Sequence, residues 1–419
     1  MVNVNVPSVE MAEVLFAVLI DGIKIENTRD ITVREITLSE SLLTQGLQTS
    51  VLVDSFLHVS ADNSGKALPP KNFDDYKNKM LNINVERKLL DYFGMQSLLK
   101  IQQRVYRVDK RQLVNNNNER FRINACDDTL LNDARSLVSK SWKCTSPTDI
   151  VSDVLRSCAG VKRLEVENST PTRDYVAENI HPFQVVTHQA NAALASGDDP
   201  SFVHYMTYEN LGTHKFRSIY SLSREAPVFS KPFVFSETGV ASGYNNPYSI
   251  LQYSFPCDFD LLSDILNGID VDGSSINSVI TTNNVAGVSS LYGNQAMGCG
   301  IGGGVTKLAT TNYNTEKAQD QCRFDVEKYL LKRQARMALL EQDKIALKLT
   351  VPWNPQLNAG KMIDIELTRK GVNTQSSSES KLYGSGRYLI VNLAHNIKLG
   401  GFSTTTMECV AQTAGQGIV

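Results

Sequence analysis

The sequence predicts an α+β chain that is mainly β, with two small antiparallel β-barrel domains joined by a mixed α/β domain. Three observations carry this reading. Apolar and polar residues alternate with period two across the first 125 residues, the period becomes helical in parts of 126–225, and alternation returns beyond residue 345. At 419 residues, 42% hydrophobic and 21% charged, the chain is long enough for two or more domains with their own cores.

The first β-barrel domain is expected over 1–125. Phe16, Val18 and Ile20 share one strand face, as do Val51, Val53, Leu57 and Val59, then Leu81, Ile83 and Val85. Leu99, Ile101 and Val105 follow, then Phe121, Ile123 and Ala125. NSGKALPPKN (63–72) reads as a turn-rich loop, and NNNNER (115–120) as a polar hairpin tip. Over 126–225 the α/β middle domain is expected. Ile150, Val151, Val154, Leu155 and Cys158 recur at helical spacing behind Ser146-Pro147, with Gly160 placed to end the helix. A second helix spans Pro182 to Leu194, with Phe183, Val186, Ala190 and Ala193 on one stripe. Residues 202–222 form a hairpin turning at Glu209 to Gly212.

The second barrel region is expected to start within 226–266, to be interrupted by a Gly/Ser/Asn-rich insertion or linker over 267–325, and to resume over 326–419 as the second β-barrel domain. A helix with a basic side at Lys328, Lys332, Arg333 and Arg336 opens that last part, over about Asp325 to Asp343. Its strands follow: Ile345, Leu347, Leu349 and Val351 on one face, Ile363, Ile365 and Leu367 on the next, and Leu389, Val391, Leu393 and Ile397 on a third. NINVE before LLKIQQRVYRV faintly echoes MIDIELT before GRYLIVNLAHNI, an internal similarity between the two β parts.

Charge and motif content exclude several functions. Lys+Arg total 42 against Asp+Glu 44, so no broad basic field grips phosphates. The apolar run Val14 to Ile20 is too short to span a bilayer and lacks the basic flank of a signal peptide, so neither a membrane span nor a signal is expected. Cysteines 126, 144, 158, 257, 299, 322 and 409 form no C-x-x-C pair and read as reduced, small apolar side chains, without zinc. GCGIGGG (298–304) satisfies G-x-G-x-x-G, yet no β-run leads into Gly298 and no amphipathic helix leaves the loop, so nucleotide binding there is disfavoured. His181, His188, His204 and His214 lack metal-ligand spacing, and His395 reads as a packed histidine in a strand face. The acidic stretch 258–273 lacks the order of a calcium loop, and Asp127-Asp128 and Asp198-Asp199 read as turn or cap residues. No catalytic, cofactor or metal site is assembled, and no enzyme is expected.

The last ninety residues add a resemblance. LTVPWNPQLNAGKMIDIEL (349–367), YGSGRYLIVNLAHNI (383–397) and FSTTTMECV (402–410) resemble the C-terminal barrel of baseplate hub proteins of contractile-tailed bacteriophages, a family of double-barrel hubs whose two barrels are similar to tail-tube proteins. Val351-Pro352, Leu357 with Ala359-Gly360, Ser385-Gly386, Tyr388-Leu389-Ile390 and His395 occupy the family's motif positions. SWKCTSPTDIVSDVL (141–155), the helix from His181 and FRSIYSL (216–222) look like its second domain. The resemblance covers most of the chain and is least specific over 1–80 and 270–320. Pro352, Gly360, Gly386, Tyr388, Leu389 and His395 are carried forward as structural fold markers, with Pro352 ending its strand and Gly386 allowing a close or twisted strand start.

What the resemblance implies is a structural subunit of the virion tail baseplate, assembled in the host cytoplasm. Three copies would form a ring that adapts a sixfold tail tube to a threefold spike, with baseplate wedge proteins around it and DNA passing only transiently through its lumen. A hub of a phage-like secretion or bacteriocin particle is the alternative, with a glycan-binding tail protein or a phosphate-binding enzyme further behind.

Overall fold

The computed structural model describes residues 13–25, 31–56, 76–115, 118–196, 199–235, 244–255, 346–367 and 384–411. The chain is mainly β with few helices. The expected loop at 63–72, the acidic stretch 258–273, the glycine stretch 298–304 and the helix over 325–343 lie outside the described residues, as do Leu57, Val59 and Ile345.

In the N-terminal part the strands are β1 (Leu15–Ile20), β2 (Ile23–Lys24), β3 (Ile31–Ser41), β4 (Gln48–Phe56), β5 (Met80–Glu86), β6 (Leu98–Asn115) and β7 (Asn118–Cys126), with a short helix α1 (Leu89–Tyr92) between β5 and β6. The period-two pattern is physical here. Val51, Val53, Leu81, Ile83, Val85, Ile123 and Ala125 are fully buried on the inward face, while the residues between them are partly exposed. β6 and β7 meet at the polar 115–118 tip, as expected.

The middle part holds α2 (Asp128–Arg135), β8 (Val138–Thr145), α3 (Pro147–Ser157), β9 (Leu164–Val166), β10 (Arg173–Ile180), α4 (Pro182–Ala192), β11 (Phe202–Thr207), β12 (Thr213–Ser218) and α5 (Ile219–Leu222). Ser146 caps α3, its hydroxyl accepting the Asp149 N–H at 3.1 Å, with Pro147 in the first turn. Pro182 opens α4 and Gln184 Oε1 accepts the His181 N–H at 3.2 Å. Asp127 caps α2 through the Thr129 N–H at 2.8 Å, and Asp199 closes a turn onto the Ser201 N–H at 3.1 Å, so both act as the cap and turn residues they were read to be. β8 pairs with β10, and β11, β12 and β9 form a three-stranded sheet, with Val151, Leu155, Phe183, Val186, Ala190, Phe202 and Phe216 packed between helices and strands. The hairpin turns through a 3-10 turn at Glu209–Leu211.

The C-terminal part contributes β13 (Phe233–Phe235), β14 (Ser249–Ile250), β15 (Gln252–Ser254), β16 (Ala346–Pro352), β17 (Met362–Glu366), β18 (Gly386–Lys398) and β19 (Thr404–Val410). These and β1 to β7 make one 14-stranded sheet. β18 is the junction: one edge runs along β19, and the other is shared by β17 over Gly386 to Leu389 and by β3 over Asn392 to Lys398. A single hydrophobic core runs from Val18 through Val53, Ile123, Leu349 and Ile390 to Cys409.

Two expectations are corrected. Leu389, Val391, Leu393 and Ile397 do not share a face. A β-bulge between Ile390 and Asn392 inserts one extra residue against β19, so Leu389 and Val391 pack with Tyr205 and Met362, whereas Ile390, Leu393 and Ile397 enter the main core. The cysteines are not all reduced either: Cys126, Cys158 and Cys409 are free, but Cys144 is disulfide-bonded.

Candidate functional site

The motif residues of the C-terminal part converge on the place where all three parts meet. Pro352 ends β16 opposite Thr404. The chain then enters Trp353 and Asn354, both fully buried, and the turn that follows carries Leu357, Ala359 and Gly360. The Gly360 N–H donates to Ile390 O at 2.8 Å and the Ile390 N–H to Lys361 O at 3.0 Å, which clamps this turn against the bulge of β18. Gly360 has φ +83, and a Cβ there would lie 2.5 Å from Tyr205 Oη, so both backbone conformation and space demand glycine.

At the start of β18, Ser385 Oγ accepts the Leu367 N–H at 2.9 Å and donates to Leu367 O at 3.1 Å. Gly386 follows, paired with Ile365. The Tyr388 hydroxyl donates to Gly384 O at 2.7 Å, and Leu389 packs beside Met362 and Ala359. His395 is 1% exposed, its Nδ1 2.8 Å from Thr405 Oγ1 and its ring against Trp353. Burial holds its pKa down to about 3, so the imidazole is neutral and packed. Pro352 thus ends its strand, Gly360 fits under the Tyr205 ring, Ser385 and Tyr388 satisfy backbone groups, and Leu389 and His395 pack into the core.

Two buried ionisable residues outside that motif complete the junction. Glu40, 2% exposed at the end of β3, accepts the Tyr208 N–H from the middle hairpin at 2.6 Å and the Ala359 N–H from the C-terminal turn at 2.8 Å. One carboxylate therefore joins all three parts. Burial raises its pKa to about 8, against the two backbone donors and nearby Lys215, which pull it down. Arg87, fully buried after β5, donates to Trp353 O at 3.1 Å and Tyr244 O at 2.5 Å and lies over the Tyr244 ring. Sequence reasoning missed both, although a signal exists. Glu40 continues the inward series Ile36, Leu38, and Arg87 continues Leu81, Ile83, Val85, so each is a charge at the next core-facing position.

The other histidines are structural as well. His204 Nε2 lies 3.1 Å from His214 Nδ1, His214 Nε2 lies 2.9 Å from Thr129 Oγ1, and Thr129 donates to Asp127 at 2.6 Å. Burial lowers the pKa of His214 to about 4, and burial together with the neighbouring His214 holds that of His204 well below the ordinary imidazole range. His181 Nδ1 contacts the carbonyls of Asp133 and Ser136, and His188 pairs with the Tyr175 hydroxyl. No group of three His, Cys, Asp or Glu among the described residues is placed to hold a metal ion. No helix among them is long and apolar enough to cross a membrane.

No protein-family model and no curated protein matches the sequence. Solved structures do. The 43 kDa tail protein of prophage MuSo2 from Shewanella oneidensis superposes with a TM-score of 0.50 at 10% identity, over 95% of this chain and 98% of the other. The tail protein of Neisseria meningitidis MC58 gives the same TM-score and identity, over 95% and 97%. The fold is therefore similar to that of two phage tail proteins. The motifs of the last ninety residues, which resemble those of baseplate hub proteins, lie within this tail-protein-like fold.

Proposed function

We propose that the chain is the structural baseplate hub subunit of a contractile phage tail, located in the virion. Three copies form a ring that adapts the sixfold tail tube to the threefold spike and lets DNA pass during ejection. The observation that carries this reading is the fold likeness to two phage tail proteins over nearly their whole lengths, joined to the hub motifs in their order. It is supported by the pairing path in the C-terminal part, which runs from β13 through β17, β18, β19 and β16 to β15, the strand next to β14, which itself pairs β13. That path suits the second of two tail-tube-like barrels. The domain division at 125 and 225, with a second barrel completed by 326–419, belongs to the same reading.

In this role the chain works without catalysis. Its near-neutral charge suits a channel that does not hold phosphates. Tube, spike and wedge proteins are its partners, and Pro352, Gly360, Gly386, Tyr388, Leu389 and His395 shape the surfaces that meet them only by holding the second barrel together.

The test is the mass of the purified chain by light scattering, followed by negative-stain imaging of the same peak, alone and with its spike protein. Threefold rings with an open centre are expected. A chain that stays monomeric even with the spike overturns the ring.

A further inference from the structure

Beside the Glu40 junction the surface opens into a cleft of ≈ 440 Å³, walled by the start of β6, the Glu209–Leu211 turn, residues 225–228 and the turn at 355–361. Its floor is fixed by the bonds already described, because Tyr208 and the 358–361 turn are tied to Glu40. Four features of its wall point to the same kind of occupant.

The first is a strand edge. Leu98 to Gln103 pair with β5 along one side, and β7 joins β6 only from Arg104 onward, so the second edge of this stretch carries no strand among the described residues. Such an edge is a template for an incoming extended chain. The second is charge. The cleft's carboxylates are already neutralised, Glu209 by Lys215 at 2.7 Å and Glu225 by Arg217. Lys100 and Lys361 also line it, and neither ammonium has an ion pair or hydrogen bond among the described residues. The charge on offer is therefore positive. The third is an orphan acceptor: Gln356 Oε1 is buried without a hydrogen-bond partner among the described residues, a state that a backbone N–H entering the cleft would relieve. The fourth is apolar surface, with Leu98 and Leu211 exposed by 38% and 43%.

We propose that this cleft docks an extended segment of a different polypeptide, one that places an aliphatic side chain and carboxylates on the same strand face, and that the segment adds to β6 as an edge strand. Main-chain bonds to β6 supply the alignment, Lys100 and Lys361 take the carboxylates, and Leu98 and Leu211 cover the aliphatic group. Selection against basic segments follows from the positive charge that Lys100 and Lys361 bring to the cleft.

The test uses the full chain and two fluorescein-labelled peptides, Leu-Thr-Glu-Thr-Glu and Leu-Thr-Lys-Thr-Lys, read by anisotropy at low and physiological salt. Saturable binding of the acidic peptide alone is expected, weakened about tenfold by Lys100→Gln and again by Lys361→Gln, since each removes one charge contact. Hydrogen exchange supplies the second readout. Amides within 98–103 slow on adding the acidic peptide, and thermal unfolding shows that both variants remain folded. The proposal is overturned by absent binding at millimolar peptide, by equal binding of both peptides, or by affinity unchanged in the two variants. It is equally overturned if the lysine variants lower the mass of the chain alone in solution, because the cleft would then be a contact between copies.

Discussion

Glu40 and His395 occupy equivalent places in their strands, inward-facing and buried, yet they respond to acid in opposite ways. The folded-state pKa of Glu40 is raised to about 8 by burial, so its contribution is fully present below about 4.5 and is lost as pH rises towards 8. The amount is on the order of 5 kcal/mol across that window. His395 and His214 are depressed to about 3 and 4, so their contribution is present above about 6.5 and is lost as pH falls through those values. Glu40→Gln isolates the first effect. At pH 5 the variant is expected to be less stable than the parent, because its amide NH₂ opposes one of the two backbone donors. By pH 8.5 the gap closes or reverses. Urea midpoints measured at both pH values decide this, and a gap independent of pH would count against a buried, proton-dependent Glu40.

At the scale of the element, the turn at 358–361 and the bulge of β18 work as one unit. The bulge moves Leu389 and Val391 to the face that meets the middle part, and the turn fills the space opposite them with Ala359 and Gly360. Gly360→Ala adds a Cβ in a left-handed conformation against Tyr205 and is expected to cost about 2–4 kcal/mol. Adding Tyr205→Phe removes the nearest atom, Oη, and should recover part of that loss, though the ring carbon at 2.9 Å stays close. Denaturant unfolding of the single and double variants measures the coupling. Strictly additive costs would show that the two side chains do not meet.

Across the whole molecule, the two β parts are not independent units. β3 pairs with β18 from Glu35 to Ser41, Arg87 bonds the carbonyls of Trp353 and Tyr244, and one apolar core spans both parts. A fragment of residues 1–125 would expose the edge of β3, leave Glu40 and Arg87 buried without their partners and lose part of its core. Expressed alone, it is expected to be insoluble or to unfold without a cooperative transition, whereas the full chain shows one. A soluble, cooperatively folding fragment, observed by circular dichroism, would refute this coupling.

Much of this fold was legible residue by residue. Strand faces such as Leu81, Ile83 and Val85 appeared as period-two patterns because one side of each strand meets the core and the other meets polar surroundings. Ser146, Pro147, Pro182 and Asp127 marked helix starts because a helix leaves its first N–H groups unpaired, a need that is local in sequence. The short motifs around Gly360, Ser385 and Tyr388 were visible for the same reason, since their bonds close over a few residues or onto an adjacent strand. The junction residues were not. Glu40 meets residues 168 and 319 positions away, and Arg87 meets residues 157 and 266 away, so no local window contains their partners.

What the sequence by itself determined is therefore the kind of element wherever one period dominates, the inward faces of regular strands such as β5 and β7, and the order of short motifs that resembles the hub family. Only the tertiary structure decided that strands of both β parts join one sheet at β18, that a bulge divides the faces of that strand, and that a cleft lined by Lys100 and Lys361 lies beside Glu40. The physical reason is range. Periodicity and capping answer to neighbours a few residues apart, whereas strand order, register shifts and buried charges answer to partners that only folding brings within bonding distance.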